Sequence, residues 1–236
     1  MENEKHHEHG ENDCCSSHEK HTMKGGNHTK FYLQIGIIAI LVMVIAFNAG
    51  KIYSGGSGIE LATGIGTVSA SDIIPTGIPA VYGQSMGVSY DDVSPSNPSL
   101  ADATINKLTE YEDMELDANQ LERYIKIAGS ISCEYCCGAQ AIIFSNGERA
   151  CGCAHSYAMR GLAKYLITEH SDMSDEDILR ELGKWKVLFF PGIHEGKAQI
   201  LESQGIDATD YINLASNLYR GIEKGQTSGG GMVGGC

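Results

Sequence analysis

The stretch SCEYCCGAQAIIFSNGERACGCAH, Ser132 to His155, decides the architecture that this chain is predicted to adopt. It holds five of the eight cysteines, in two groups on either side of Asn146-Gly147. Because Asn-Gly supplies the two positive-φ positions of a type I′ turn, the intervening residues predict a tight β-hairpin. A hairpin returns its ends to the same place, so both cysteine groups are expected to meet in one thiolate site. The candidate metal ligands are Cys133, Cys136, Cys137, Cys151, Cys153 and His155.

The spacing within the two groups is typical of metal ligands. A C-x-x-C pair followed by C-x-C-x-H can place four side chains around one tetrahedral ion. Zinc is the default ion by frequency, and copper or an iron–sulfur centre is the alternative. The two remaining residues, Cys137 and His155, are spare, lie next to the ligands or belong to a larger thiolate site. The minimal ligand set is Cys133, Cys136, Cys151 and Cys153.

Disulfides are the structural alternative to a metal. In an oxidising compartment, the bridges Cys133–Cys151 and Cys136–Cys153 would cross the hairpin and leave the fifth cysteine unpaired. Cys153 falls at the start of a helix predicted over Ala154–His170, where the helix dipole favours a thiolate. That placement favours metal binding and thiol reactivity alike.

Residues 31–50, FYLQIGIIAILVMVIAFNAG, contain no charged side chain. Twenty helical residues just span the ~30 Å hydrocarbon core of a bilayer. A long polar leader and the lack of a small-x-small cleavage site favour an uncleaved signal anchor over a cleaved signal peptide. Lysines are concentrated before this segment, so the positive-inside rule places the N-terminus in the cytoplasm and the rest outside. The prediction is a single-pass protein of the cell membrane, with the lipid bilayer as partner through residues 31–50.

The remaining chain divides by composition. The first thirty residues carry six of the nine histidines and the pair Cys14-Cys15 with almost nothing to bury, which indicates a disordered, metal-capturing tail. From residue 99 the apolar spacing becomes helical, with caps at Ser99, Asp117 and Ser174. The predicted fold class is mainly α, a small helical bundle with one inserted Cys-bearing β-hairpin. The predicted regions are a His/Cys-rich cytoplasmic tail (1–30), a transmembrane helix (31–50), a Gly/Pro-rich linker or extended arm (51–98), a helical Cys/His domain (99–224) and a flexible Gly-rich tail (225–236).

Composition also excludes some functions. A net charge of -13 without a basic stripe argues against a nucleic-acid partner. The chain has no P-loop, no G-x-S-x-G, no H-E-x-x-H and no C-x-x-C-H haem-attachment pattern. His170 and His194 lack neighbouring cysteines and are interpreted as ordinary surface residues.

A partial resemblance covers Cys133 to Gly192. The order C-x-x-C, MRGLAKYLI, MSDEDILRELGKW and VLFFPG resembles the cytochrome c maturation thiol protein family CcmH. That resemblance implies a membrane-tethered three-helix domain in which Cys133 and Cys136 form the redox pair that handles apocytochrome thiols. Here a hairpin with further cysteines intervenes, and the predicted anchor precedes the domain. The C-G-C-x-H end is also similar to PCYCGC-type surface proteins, although their proline and repeat are missing.

Together these features favour a non-enzymatic, membrane-anchored, extracytoplasmic metal-binding protein. The first alternative is a thiol–disulfide oxidoreductase or thiol chaperone of the CcmH type. The second is an interaction module for a membrane or secreted protein partner, whose zinc or disulfides are purely structural.

Overall fold

The computed structural model describes residues 32–42, 68–226 and 231–235. The chain divides into two units, Met1–Ala62 and Thr63–Cys236. In the first unit the described residues form one helix whose apolar side chains are exposed. The predicted His/Cys-rich tail, the first part of the linker and Cys236 lie outside the described residues.

The transmembrane helix predicted over residues 31–50 is wrong. The helix described there covers residues 32–42, and eleven residues extend about 16 Å, roughly half of a hydrocarbon core. Across the described part of the chain, no helix combines the length and apolar character needed to cross a membrane. The predicted single-pass localisation, with the N-terminus cytoplasmic and the rest outside, depended on that helix and is corrected with it.

Helices build the second unit. In chain order the elements are α1 (Ala70–Ile73), α2 (Gly83–Met86), a 3-10 turn (Tyr90–Asp92), α3 (Pro98–Thr109), α4 (Ala118–Ala128), α5 (Ala154–Glu169), α6 (Asp175–Phe189), α7 (Pro191–Ser203) and α8 (Tyr211–Ala215). Of these, α5 lies at the centre and packs against α3, α4 and α6, and α6 packs in turn against α8.

Local sequence sets where the long helices begin. Asp117 caps α4 and forms a reciprocal capping box with Gln120, and Ser174 accepts from the backbone N–H of Asp177 at the start of α6. These two predicted caps are confirmed. The cap predicted at Ser99 is wrong, because α3 begins two residues earlier. The side chain of Asn97 accepts from the N–H of Leu100, and Pro98 takes the first helical position.

The segment before α3 is packed onto the bundle. Tyr82 is fully buried, and its hydroxyl accepts a hydrogen bond from Trp185 Nε1 (2.7 Å) while donating to Glu181 (2.9 Å). Ile73 and Val88 are buried as well. The chain therefore reaches α3 only after its preceding residues have covered one side of α6.

The predicted β-hairpin is also wrong, since no strand occurs among the described residues. One isolated antiparallel bridge joins Ile143 to Arg149. The N–H of Gly147 donates to the carbonyl of Phe144, which makes Asn146 a central residue of the turn, and Gly147 follows it with φ 86°. This is the three-residue connection of a β-turn plus a left-handed glycine, so Asn-Gly does not occupy the two central positions of a type I′ turn.

Packing holds this loop in place, and not the ladder of hydrogen bonds between strands that the predicted hairpin would have. Ile142 and Ile143 are buried, and the N–H of Ile142 donates to the carbonyl of Ile131. A lone two-stranded hairpin is marginal in water, and no third strand is described beside it. The loop still returns the chain to its starting point, so the two cysteine groups meet as predicted.

Candidate metal and thiol site

Cys153 is the N-cap residue of α5. Its Sγ accepts from the backbone N–H of Ser156 at 3.4 Å, and the Ser156 hydroxyl lies 3.3 Å away. The free N–H groups at a helix start carry partial positive charge and stabilise an anionic sulfur. A hydrogen bond shared with Cys133 is the main cause that lowers the pKa of Cys153, and the contacts with Ser156 act in the same direction.

Cys133 is fully buried, with its Sγ 3.3 Å from that of Cys153. The hydrogen bond to Cys153 and burial both raise the pKa of the Cys133 thiol. The two pKa shifts have opposite directions because two adjacent buried sulfurs cannot both be anionic at low cost.

His155, in the first turn of α5, completes this cluster. Its ring is fully buried against Phe189 and Phe190, with centroid distances of 4.5 and 5.1 Å. Nε2 lies 2.8 Å from the carbonyl oxygen of Val233. A carbonyl only accepts, so Nε2 carries the proton and Nδ1 presents a lone pair.

Nδ1 is the ring nitrogen of His155 that Val233 leaves available to a metal. Among the described residues Nδ1 of His155 has no hydrogen-bond partner, although it is buried. One potential ligand atom from each of Cys133, Cys153 and His155 lies within 4.8 Å of the other two. The structure therefore brings three of the six predicted ligands together.

Two of the remaining predicted ligands, Cys137 and Cys151, form a disulfide. Cys151 Sγ lies 3.5 Å from Cys153 Sγ, so the buried end of the disulfide touches the cluster. Cys137 is the exposed end, and Cys136 is exposed as well and outside the cluster. This pairing differs from both bridges considered from the sequence.

Glu134 anchors the loop that carries Cys133. Its buried carboxylate pairs with Lys186 of α6 at 3.2 Å and with Arg220 at 3.1 Å. Lys186, itself fully buried, also donates to the carbonyl of Ala215 at 2.8 Å. Loss of the Glu134 carboxylate or of the Lys186 ammonium would leave the other group buried without its full set of partners, which is costly.

Asn217, which follows α8, forms hydrogen bonds to both sides of the same loop. Its side-chain amide donates to the carbonyls of Gln140 (2.9 Å) and Gly129 (3.3 Å), and its Oδ1 accepts from the hydroxyl of Ser132 (2.7 Å). The sequence reasoning missed this residue, as it missed Glu134 and its partners. The one available signal was a lysine at position 186, inside the apolar run of α6.

Arg160 fixes Cys151 from the side of α5. Its Nη1 donates to the carbonyls of Cys151 and Ile142, each at 2.9 Å, and its Nε pairs with Glu112 at 2.6 Å. Arg149 binds the same carboxylate. Burial opposes the ionisation of Glu112, but the hydrogen bonds from Arg149 and Arg160 outweigh it, so the pKa of Glu112 lies below its usual value.

His194 is not a surface residue, contrary to the prediction. It is fully buried in α7, with Nδ1 2.9 Å from the carbonyl oxygen of Phe190. Burial lowers the pKa of His194 well below its usual value, so it is neutral at pH 7. It lies outside the sulfur cluster.

A cleft of about 630 Å³ opens beside the cluster. It exposes the Cys137 end of the disulfide to solutes, whereas Cys133 stays buried within. Its walls are Asp102, Ile105 and Asn106 of α3, then Cys137, Gly152, Cys153 and Ala154, and Gly235.

The arrangement offers two kinds of chemistry. Two sulfurs and an imidazole nitrogen converge, and a disulfide touches one of those sulfurs. The first feature is compatible with metal binding, and the second with thiol–disulfide exchange. No known protein family, no curated protein and no solved structure matches this chain.

Proposed function

We propose that this protein binds one transition-metal ion, with zinc as the natural occupant, through Cys133, Cys153 and His155. The observation that carries the proposal is the state of the His155 ring. Its Nε2 donates to the carbonyl of Val233, while its buried Nδ1 has no hydrogen-bond partner among the described residues, and the ring clusters with two cysteine sulfurs. A metal-bound histidine in proteins has this pattern, because the second nitrogen donates to a carbonyl and fixes the ring.

Charge supports the same conclusion. Two buried sulfurs 3.3 Å apart cannot both be anionic at low cost without a cation beside them. A divalent ion would balance both thiolate charges. Sulfurs bound to one tetrahedral zinc at about 2.3 Å lie about 3.8 Å apart. The two sulfurs would therefore need to move apart by only a few tenths of an ångström to bind the ion.

Ligand types favour zinc over the alternatives. An iron–sulfur cluster usually takes four cysteine ligands, and this cluster offers two with a histidine. Two thiolates with an imidazole are a common zinc set. Copper in its reduced state also binds thiolates, and elemental analysis separates the two metals.

Metal content of protein purified without oxygen tests the proposal. We expect about one zinc per chain in the wild type, and loss of that zinc in Cys133→Ser, Cys153→Ser and His155→Gln. The matched control is Cys136→Ser, an exposed cysteine outside the cluster, which should keep its zinc. Equal metal content in all four variants, or none in the wild type, would refute the assignment.

Thiol–disulfide exchange is the second candidate, which the resemblance to the CcmH family also implies. The supporting observation is the 3.5 Å approach of Cys153 Sγ to the disulfide sulfur of Cys151, with Cys137 exposed for a partner. Exchange proceeds through a mixed disulfide. Cys151→Ser would leave Cys137 without its internal partner, so a stable mixed disulfide on Cys137 in that variant would favour this second function.

A further inference from the structure

We propose that reduction of the Cys137–Cys151 disulfide gives the metal site its fourth ligand, Cys151, so that thiol reductants control how tightly the metal is held. The inference rests on the metal-binding function proposed above. It concerns the sulfur of Cys151, which is not part of the cluster of Cys133, Cys153 and His155 while it is bonded to Cys137.

Position is the first argument. Cys151 Sγ lies 3.5 Å from Cys153 Sγ, which lies 3.3 Å from Cys133 Sγ. Both separations are close to the roughly 3.8 Å between sulfurs on one tetrahedral zinc. Together with Cys133, Cys153 and His155, a Cys151 sulfur released from Cys137 and turned toward the ion would complete an S₃N set. In the disulfide Cys151 carries no charge and donates weakly, so the oxidised site has three good ligands.

The two ends of the disulfide differ in accessibility. Cys137 is exposed and lines the cleft, whereas Cys151 is buried. Arg160 holds the carbonyl of Cys151 at 2.9 Å, which keeps this residue in place when the bond breaks. An external thiolate therefore meets the Cys137 sulfur first, and the leaving sulfur is the one beside the metal site.

The Cys137 side chain has room to turn away afterwards, because Cys137 is exposed and lines the cleft. The next residue, Gly138, has φ 70°, and apart from its chain neighbours no atom lies within 4 Å of the place that its Cβ would occupy. The carbonyl of Gly138 accepts a hydrogen bond from Arg220 at 3.0 Å, so we expect the Cys137 side chain to rotate while the backbone stays in place.

The reaction is an ordinary thiol–disulfide exchange with a dithiol reductant. The first reductant thiolate bonds to Cys137 Sγ, the Cys137–Cys151 bond breaks, and its electron pair leaves on Cys151, which binds the metal. The second reductant thiol displaces Cys137 from the mixed disulfide and forms the cyclic oxidised reductant. Cys137 takes up one proton and one is released, so the dithiol is oxidised and the protein disulfide is reduced.

The test is the zinc affinity of one protein in two redox states. Oxidised protein and protein reduced by a dithiol, with the reductant removed under argon, are titrated against a chromophoric chelator. We expect reduction to tighten zinc binding by about a hundredfold or more, because loss of even an outer partner of a ligand costs ten- to a hundredfold. Mass spectrometry of unreduced peptides verifies the disulfide in the oxidised sample.

Two variants separate the fourth ligand from a general effect of reduction. Cys137→Ser cannot form the disulfide but keeps Cys151, so it should bind zinc tightly in both states. Cys151→Ser lacks the fourth ligand and should bind weakly in both. Cys136→Ser, the matched control, should respond to reduction as the wild type does, and circular dichroism confirms that each variant is folded.

The possible outcomes distinguish the redox proposal from the metal-binding function on which it rests. Zinc binding of equal strength in both wild-type states, or weak binding by folded Cys137→Ser, overturns the redox proposal and leaves the metal function standing. No zinc binding in either state refutes the metal function itself. Absence of the Cys137–Cys151 bridge from the oxidised protein also overturns the redox proposal.

Discussion

Arg160→Met removes a buried cation on which both the packing of α5 and the position of Cys151 depend. The Arg160 side chain is 1% exposed and bonds to Glu112 and to two carbonyls. Methionine fills a similar volume but leaves the carbonyl of Cys151 without a donor, at about 1–3 kcal/mol, whereas the carbonyl of Ile142 keeps the N–H of Ala150. Removing one partner of a buried ion pair costs about 3–5 kcal/mol. Because Arg149 still pairs with Glu112, we expect a combined loss in unfolding free energy near the low end, about 4 kcal/mol.

Urea unfolding, followed by fluorescence of the single tryptophan, measures this loss in metal-free protein with the disulfide intact. The matched control is Arg149→Met, which removes the other guanidinium on the same carboxylate. The Arg149 side chain is 49% exposed, so its loss should cost about 1 kcal/mol or less. Equal losses in the two variants, or a loss below about 1 kcal/mol for Arg160→Met, would refute the reasoning.

Two further predictions concern packing and pH. Gly161→Ala should lower the unfolding free energy by about 1–3 kcal/mol, because its Cβ would overlap the carbonyl oxygen of Leu108 in α3. Gly152→Ala, with no atom within 4 Å, should melt like the wild type, and similar melting of both variants would contradict the close contact of α3 and α5. The folded-state pKa of Glu112 lies below its usual value of 4.5, so its stabilising contribution is complete above pH 4.5 and is lost as the pH falls through the lowered pKa. Urea unfolding between pH 7 and 3 should therefore show that the unfolding free energy falls more steeply with falling pH in the wild type than in Glu112→Gln. Parallel curves would argue against this ion pair.

The helices were predictable because their signals are local. Side-chain caps such as Asp117 and Ser174 and an apolar spacing near 3.6 residues act within one or two turns, and the structure confirms them. The hairpin was not predictable in this way, since an Asn-Gly pair can form a tight turn in two ways. The choice depends on strand partners that the turn sequence does not specify. The transmembrane prediction rested on hydropathy alone.

The site was predictable in part. Clustering of cysteines around a turn predicted that both groups meet, which the cluster of Cys133, Cys153 and His155 bears out. Spacing alone could not show which sulfurs point inward, because that depends on α5 capping and on ion pairs between distant residues. Glu134 and Lys186, 52 residues apart, are one such pair. As a result Cys136 was placed in the minimal set, although it is exposed.

X-ray absorption at the zinc edge tests the central claim most directly. Protein purified without oxygen, with the Cys137–Cys151 disulfide verified, should show two sulfurs at about 2.3 Å and one imidazole nitrogen at about 2.0 Å. Because His155→Gln is expected to lose its zinc, that variant prepared in the same way should give no zinc-edge signal above background. A shell of oxygen and nitrogen without sulfur, or an imidazole signal unchanged in His155→Gln, would contradict a metal centre at Cys133, Cys153 and His155.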